Sequence, residues 1–167
     1  MMRALFPALI ALTLAACSTA APTPAPAPVE PSQANWEAGQ QAYLDWNAAR
    51  RGWAVTDSGL QYRRVGSANA SGVRPGPTDT VRVHYTGTFI DGREFDSSVG
   101  GDPIEFPLNR VIAGWTEGLQ LMREGETYEF AIPGALAYGN RWVGGHLIPP
   151  NSVLLFRVEL LAVNPET

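Results

Sequence analysis

The chain has 167 residues, 45% of them hydrophobic, which suits one domain with extensions and leaves enough apolar material for a core. Its formal net charge of −4 is mild, and all 12 basic residues are arginines scattered along the chain, a pattern that argues against nucleic acid as a partner. A lone cysteine, Cys17, excludes a disulfide within one chain.

Taken in order, residues 1–16 read as a signal peptide. Arg3 supplies the positive start, and the apolar run 4–16 falls short of the roughly 20 residues of a membrane span. The run ends in Leu14-Ala15-Ala16-Cys17, which resembles a bacterial lipobox. That resemblance implies acylation of Cys17 and a membrane anchor through its acyl chains. Ser18 after the cysteine implies sorting to the outer membrane, so the expectation is an exported, lipid-anchored protein on the periplasmic face of a bacterial envelope. Residues 17–31 form a tether, with proline at alternate positions from Pro22 to Pro28 favouring an extended chain of about 3.1 Å per residue.

Residues 32–52 are a helical segment, with Ser32 as N-cap, Trp36, Tyr43, Trp46 and Arg50 near one face, and Gly52 as the stop. It is expected to pack peripherally on the domain that follows, 53–167. There the pattern turns to strands. Apolar and polar residues alternate over 59–65, and 68–78 is a polar, glycine-rich loop. A long strand over 80–90 places Val81, Val83 and Tyr85 on one face, and Asp91-Gly92 signals a turn. A short helix is expected over 110–122, ending at Gly118 or just after, and further strands over 128–132 and 153–163 enclose a long loop, 133–150. The fold class is α+β: an antiparallel sheet closing around a short central helix, preceded by an N-terminal helix.

The short helix already outlines a site. Val111, Ile112 and Trp115 share a face, and a tryptophan there makes a broad apolar floor. Ile112 is placed in the first turn, where backbone N–H groups lack internal acceptors, so its N–H is free to hold a peptide carbonyl.

Several separated blocks extend this picture: Val81-Arg-Val-His-Tyr-Thr-Gly87, Asp91-Gly-Arg-Glu-Phe-Asp-Ser-Ser98, Val111-Ile-Ala-Gly-Trp-Thr-Glu-Gly118, Ala137-Tyr-Gly139 and Ile148-Pro-Pro150. Together, over about 56–163, they resemble the FKBP family of peptidyl-prolyl cis-trans isomerases. The resemblance implies an FKBP-like fold and rotation about X–Pro bonds of proline-containing polypeptides, with macrolide inhibitors as further ligands. It implies that Tyr85, Phe95, Phe106, Val111, Trp115, Ile148 and Phe156 line a hydrophobic pocket, with Asp96 its carboxylate and Tyr138 a hydroxyl donor. Catalysis then rests on Asp96, Tyr138 and the Ile112 N–H, with no cofactor.

The resemblance breaks in three places. Ile104, still a wall residue, stands where many relatives carry an aromatic. The loop after Asp96 lacks the arginine that often pairs with the aspartate. The loop 140–147 differs in length and carries Trp142 and Val143. These departures bear on sequence preference and macrolide response rather than on the prolyl pocket. His84, flanked by Val83 and Tyr85, faces away from the pocket side, and with His146 it forms no metal-ligand set. The alternative function is a chaperone module that binds proline-containing or unfolded segments with little turnover.

Overall fold

A computed structural model describes residues 32–165; the expected signal peptide, Cys17 and the tether lie outside them. Helix α1 (Gln33–Ala48) starts where the Ser32 hydroxyl accepts the Asn35 N–H at 3.1 Å, as its N-cap position predicts. Its docked face consists of half-buried Trp36 and buried Gln40, Leu44 and Asn47, at spacings that keep one helical face. This corrects the expected stripe. Trp46 is 57% exposed and lies against the Arg50 guanidinium instead. Two of the buried positions are polar and bonded to the domain, so hydrophobic periodicity alone could not mark them. Asn47 Nδ2 donates to Gln61 Oε1 at 2.8 Å, and Gln40 Oε1 accepts the Val153 N–H at 2.8 Å.

The domain is a seven-stranded sheet, every pairing antiparallel. Its strands are β1 (Ala54–Val55), β2 (Gln61–Val65), β3 (Thr80–Thr88), β4 (Glu94–Ser97), β5 (Ile104–Pro107), β6 (Thr127–Ile132) and β7 (Leu154–Val163). They lie in the order β1-β2-β6-β7-β3-β4, and β5 shares the β4 edge of β3. Strands β4 and β5, four residues each, are too short for a period of two to stand out in the sequence. Strand β3 stops short of the expected residue 90, because the Phe89 N–H already closes the turn onto the Arg93 carbonyl at 2.9 Å.

Helix α2 (Ala113–Leu119) crosses the concave face and is shorter than the expected 110–122. A 3-10 turn over Leu108–Arg110 precedes it, and Val111 is fully extended. The core lies between α2 and the sheet, where Leu119, Val81, Val83, Phe130, Ile132, Leu154, Val158 and Leu160 are all buried. Each such aliphatic or aromatic side chain contributes about 1.5–3 kcal/mol on burial. Two glycines bring α2 this close to β6. A Cβ on Gly114 would stand 2.4 Å from Ile132 Cγ2, and one on Gly118 would stand 2.7 Å from the Phe130 ring.

Candidate active site

A cavity of about 560 Å³ opens between the N-terminal end of α2, the paired strands β3, β4 and β5, and the loop after β6. Its floor is Trp115, only 6% exposed, which the first turn of α2 aims at the sheet. The Tyr85 and Phe156 rings meet this indole edge-on at centroid distances of 5.1 Å each, and Phe106 packs against it at 5.2 Å. Phe95 stands perpendicular to Phe156 at 5.6 Å and closes the β4 side. Edge-to-face contacts of this kind fix ring positions as well as burying area. Ile104, Phe106 and Val111 complete an apolar wall.

Ile112 is the N-cap of α2 rather than a first-turn residue, a correction of one position. The extended Val111-Ile112 pair delays the helix, as β-branched side chains readily do. The Ile112 carbonyl accepts the Trp115 and Thr116 N–H groups at 2.9 and 3.1 Å. Its own N–H has no acceptor among the described residues and belongs to the cavity lining. The free donor expected at this residue is therefore present.

The polar end of the cavity is set by Asp96, Tyr85 and Tyr138. With no arginine in the β4–β5 loop, the Asp96 carboxylate is held by the Tyr85 hydroxyl, which donates to Oδ2. Burial, and then this bond to Asp96, push the Tyr85 phenol far above its ordinary range, so it stays a neutral donor. Burial and then the Asp96 charge also raise Tyr138. Tyr138 follows the 3-10 turn Gly134–Leu136 and makes no side-chain bond within the described residues. Its hydroxyl is available to a ligand.

Ten of the residues expected here line the cavity: Asp96, Tyr138, Ile112, Tyr85, Phe95, Ile104, Phe106, Val111, Trp115 and Phe156. Ile148 does not. It is buried behind the wall, bridged to Val143 by paired backbone bonds of 3.1 Å, because the 140–147 loop folds back as a small hairpin. Arg110, Ala113, Ala137 and Arg141 line the cavity without having been expected. Ala113 and Ala137 fall inside the motif blocks and were legible there. Arg110 and Arg141 carry no local signal, and neither forms an ion pair with Asp96. His84 turns away from the cavity, its Nδ1 3.2 Å from the Ser98 hydroxyl, and His146 packs tilted against Trp142 outside the lining.

The family profile of FKBP-type peptidyl-prolyl cis-trans isomerases matches residues 72–161, which span the sheet from before β3 into β7 and include every lining residue. This chain belongs to the FKBP family. It is 52% identical over 126 residues to the FKBP-type peptidyl-prolyl cis-trans isomerase FkpA of Aeromonas hydrophila, covering 74% of this chain and 45% of that protein. It is 48% identical over 123 residues to the outer membrane protein MIP of Legionella longbeachae, covering 73% of this chain and 52% of that protein. A crystal structure of a peptidyl-prolyl cis-trans isomerase from Pseudomonas syringae superposes with a TM-score of 0.74 at 30% identity, covering 82% of this chain and 99% of that one. The chain spans about half the length of the Aeromonas and Legionella proteins. In the present cavity the carboxylate is paired with Tyr85 among the described residues, and Ile104 forms part of one wall.

Proposed function

We propose that this chain is a peptidyl-prolyl cis-trans isomerase that acts on X–Pro bonds of folding polypeptides in the bacterial envelope. The observation that carries this reading is one cavity combining an aromatic floor, an unpaired Ile112 N–H and the Tyr138 hydroxyl around the Asp96–Tyr85 pair. Rotation about an X–Pro amide faces a barrier near ~20 kcal/mol, because resonance stiffens the C–N bond. In the twisted state that resonance is lost and the carbonyl is less polarised. An apolar cavity therefore disfavours the planar, polar form relative to the twisted one. The prolyl ring sits on Trp115 between Tyr85, Phe95, Phe106 and Phe156, the Ile112 N–H holds the flanking carbonyl, and Tyr138 and Asp96 orient the peptide. Only interactions that are stronger in the twisted state accelerate the reaction, so the chemistry needs no nucleophile.

The lipobox ending in Cys17 supports acylation there and attachment to the envelope membrane, and a relative named as an outer membrane protein supports the outer membrane as its place. Macrolides are further candidate ligands of the same cavity. The exposed Trp142 and Leu147, on the loop that also supplies Arg141, favour a second reading as a chaperone gripping apolar segments around proline.

Exchange NMR on short X–Pro peptides tests the proposal, with a folded Asp96→Ala/Tyr138→Phe double variant as control. Catalysis that falls by about one to two orders of magnitude in the double variant is expected, since each group contributes modestly. A folded chain that catalyses nothing across varied X sinks the isomerase and leaves the chaperone. Total loss in either single variant with the fold intact would instead reveal a chemical step that this mechanism lacks.

A further inference from the structure

The first half of α1 is joined to the domain in an unusual way. Among its first eight residues the only buried one is Gln40, which is polar, and no apolar side chain there is fully buried. What holds this half of the helix is a set of bonds to one short piece of chain, the limb that returns from the cavity loop into β7. Trp36 Nε1 donates to the Pro150 carbonyl at 3.0 Å. Glu37 Oε1 accepts from Asn151 Nδ2 at 2.8 Å, and Gln40 Oε1 accepts the Val153 N–H at 2.8 Å.

The same limb fixes the cavity loop. The Asn151 N–H donates to the Gly139 carbonyl at 2.7 Å, and the Gly139 N–H donates to Gly134 at 2.8 Å. Asn151 adopts a left-handed backbone with φ of 56°, and its backbone is packed so tightly on Gly134 that a Cβ there would approach to 2.8 Å. Tyr138 is the residue immediately before Gly139, and Arg141 follows two residues after it. An unbroken chain of bonds therefore runs from α1 through residues 150–153 to the loop that presents the cavity hydroxyl.

We infer that α1 is a positioning element for the cavity: Trp36, Glu37 and Gln40 hold the 150–153 limb, and the Asn151–Gly139 bond transmits that hold to Tyr138. A helix that merely covered the sheet would need only its apolar contacts around Leu44, Ala131 and Val153, which lie further along. The kinetic consequence rests on the isomerase reading; the ordering of the loop does not. None of the three α1 side chains lines the cavity.

The test compares Glu37→Ala, Glu37→Gln and Glu37→Ala/Gln40→Ala in the full chain. Amide hydrogen exchange at Gly139 and Asn151 is read against exchange in β3 and β7. The expected result for the double variant is exchange at those two amides faster by about tenfold or more, with strand amides changed less than about twofold. Its kcat/KM for an X–Pro peptide should fall about three- to tenfold, carried mainly by KM, because a loosened Tyr138 weakens peptide binding. Glu37→Gln retains an acceptor oxygen and should restore both readouts relative to Glu37→Ala. Unchanged exchange at Gly139, exchange rising uniformly across the sheet, or normal kcat/KM despite a loosened loop would each overturn the inference. If the unaltered chain turns over no peptide, the isomerase reading falls, and local exchange with the Kd for the same X–Pro peptide decides the positioning role on the same terms.

Discussion

Asp96 and Tyr85 act as a pair. Asp96 is exposed to solvent at the cavity mouth and has no cationic partner among the described residues, so the neutral phenol beside it is what fixes its orientation. Removing that hydroxyl leaves the carboxylate free to rotate while the Tyr85 ring still packs on Trp115. Tyr85→Phe is therefore expected to lower kcat/KM about three- to tenfold, with little change in thermal midpoint, since Asp96 can be rehydrated. Peptide kinetics and calorimetry on that variant check it, and a loss confined to stability would refute the pairing as functional. At this scale the sequence was informative about identity and uninformative about partnership. Tyr85, Phe95, Asp96, Val111, Ile112, Trp115 and Tyr138 were legible because they fall in fixed motif blocks. The bond from Tyr85 to Asp96 was not, because it joins two strands whose register depends on the β3–β4 turn, and Arg110 and Arg141 reach the cavity only through loop geometry.

Helix α2 owes its place to the small residues on its sheet-facing side. Gly114 and Gly118, one turn apart, let the helix settle onto Ile132 and Phe130, and this sets the height of Trp115 in the cavity. Gly118→Ala has a favourable helix-propensity term of about 1 kcal/mol, yet the added methyl overlaps a fully buried ring, an overpacking cost of about 1–3 kcal/mol. Packing wins because Phe130 is 1% exposed and cannot retreat. The variant should lose up to about 2 kcal/mol of stability in urea denaturation, and a gain would mean that α2 sits further from the sheet than the contacts require. A glycine pair inside a short helix reads from sequence as a weak helix or its end, and so the expected boundaries were too generous at the start and uncertain at the finish. Helix α1 misled in the opposite sense. Its conspicuous aromatic Trp46 is exposed, while the docking positions Gln40 and Asn47 are polar groups whose partners, Val153 and Gln61, lie outside the helix.

The chain contains no lysine, and its described residues contain no cysteine, so above about pH 9 the groups left to titrate in the folded domain are its tyrosines, arginine being charged throughout. Burial raises Tyr43, Tyr85, Tyr128 and Tyr138 above their ordinary value, and burial is the largest cause in each case. A raised native value favours the neutral form in the fold. That contribution is complete below the unfolded value near ~10 and is lost as pH rises through the native values. The acid side runs the other way. The Gln33 and Asn151 amides lower Glu37, the Gly76 N–H and then Asn164 lower Asp79, and the Arg93 N–H and side chain lower Asp91. Depressed carboxylates contribute above their unfolded values near ~4 and lose that contribution as pH falls through the native ones. The urea midpoint should therefore be flat between about pH 5 and 9, fall on the acid side below about 4, and fall on the alkaline side together with phenolate absorbance. Tyr85→Phe should remove part of the alkaline limb and leave the acid limb unchanged. If all five tyrosines ionised near pH ~10 in a protein still folded by circular dichroism, the cavity phenols would be open to water, and a Tyr85–Asp96 bond strong enough to resist ionisation of the phenol would be ruled out.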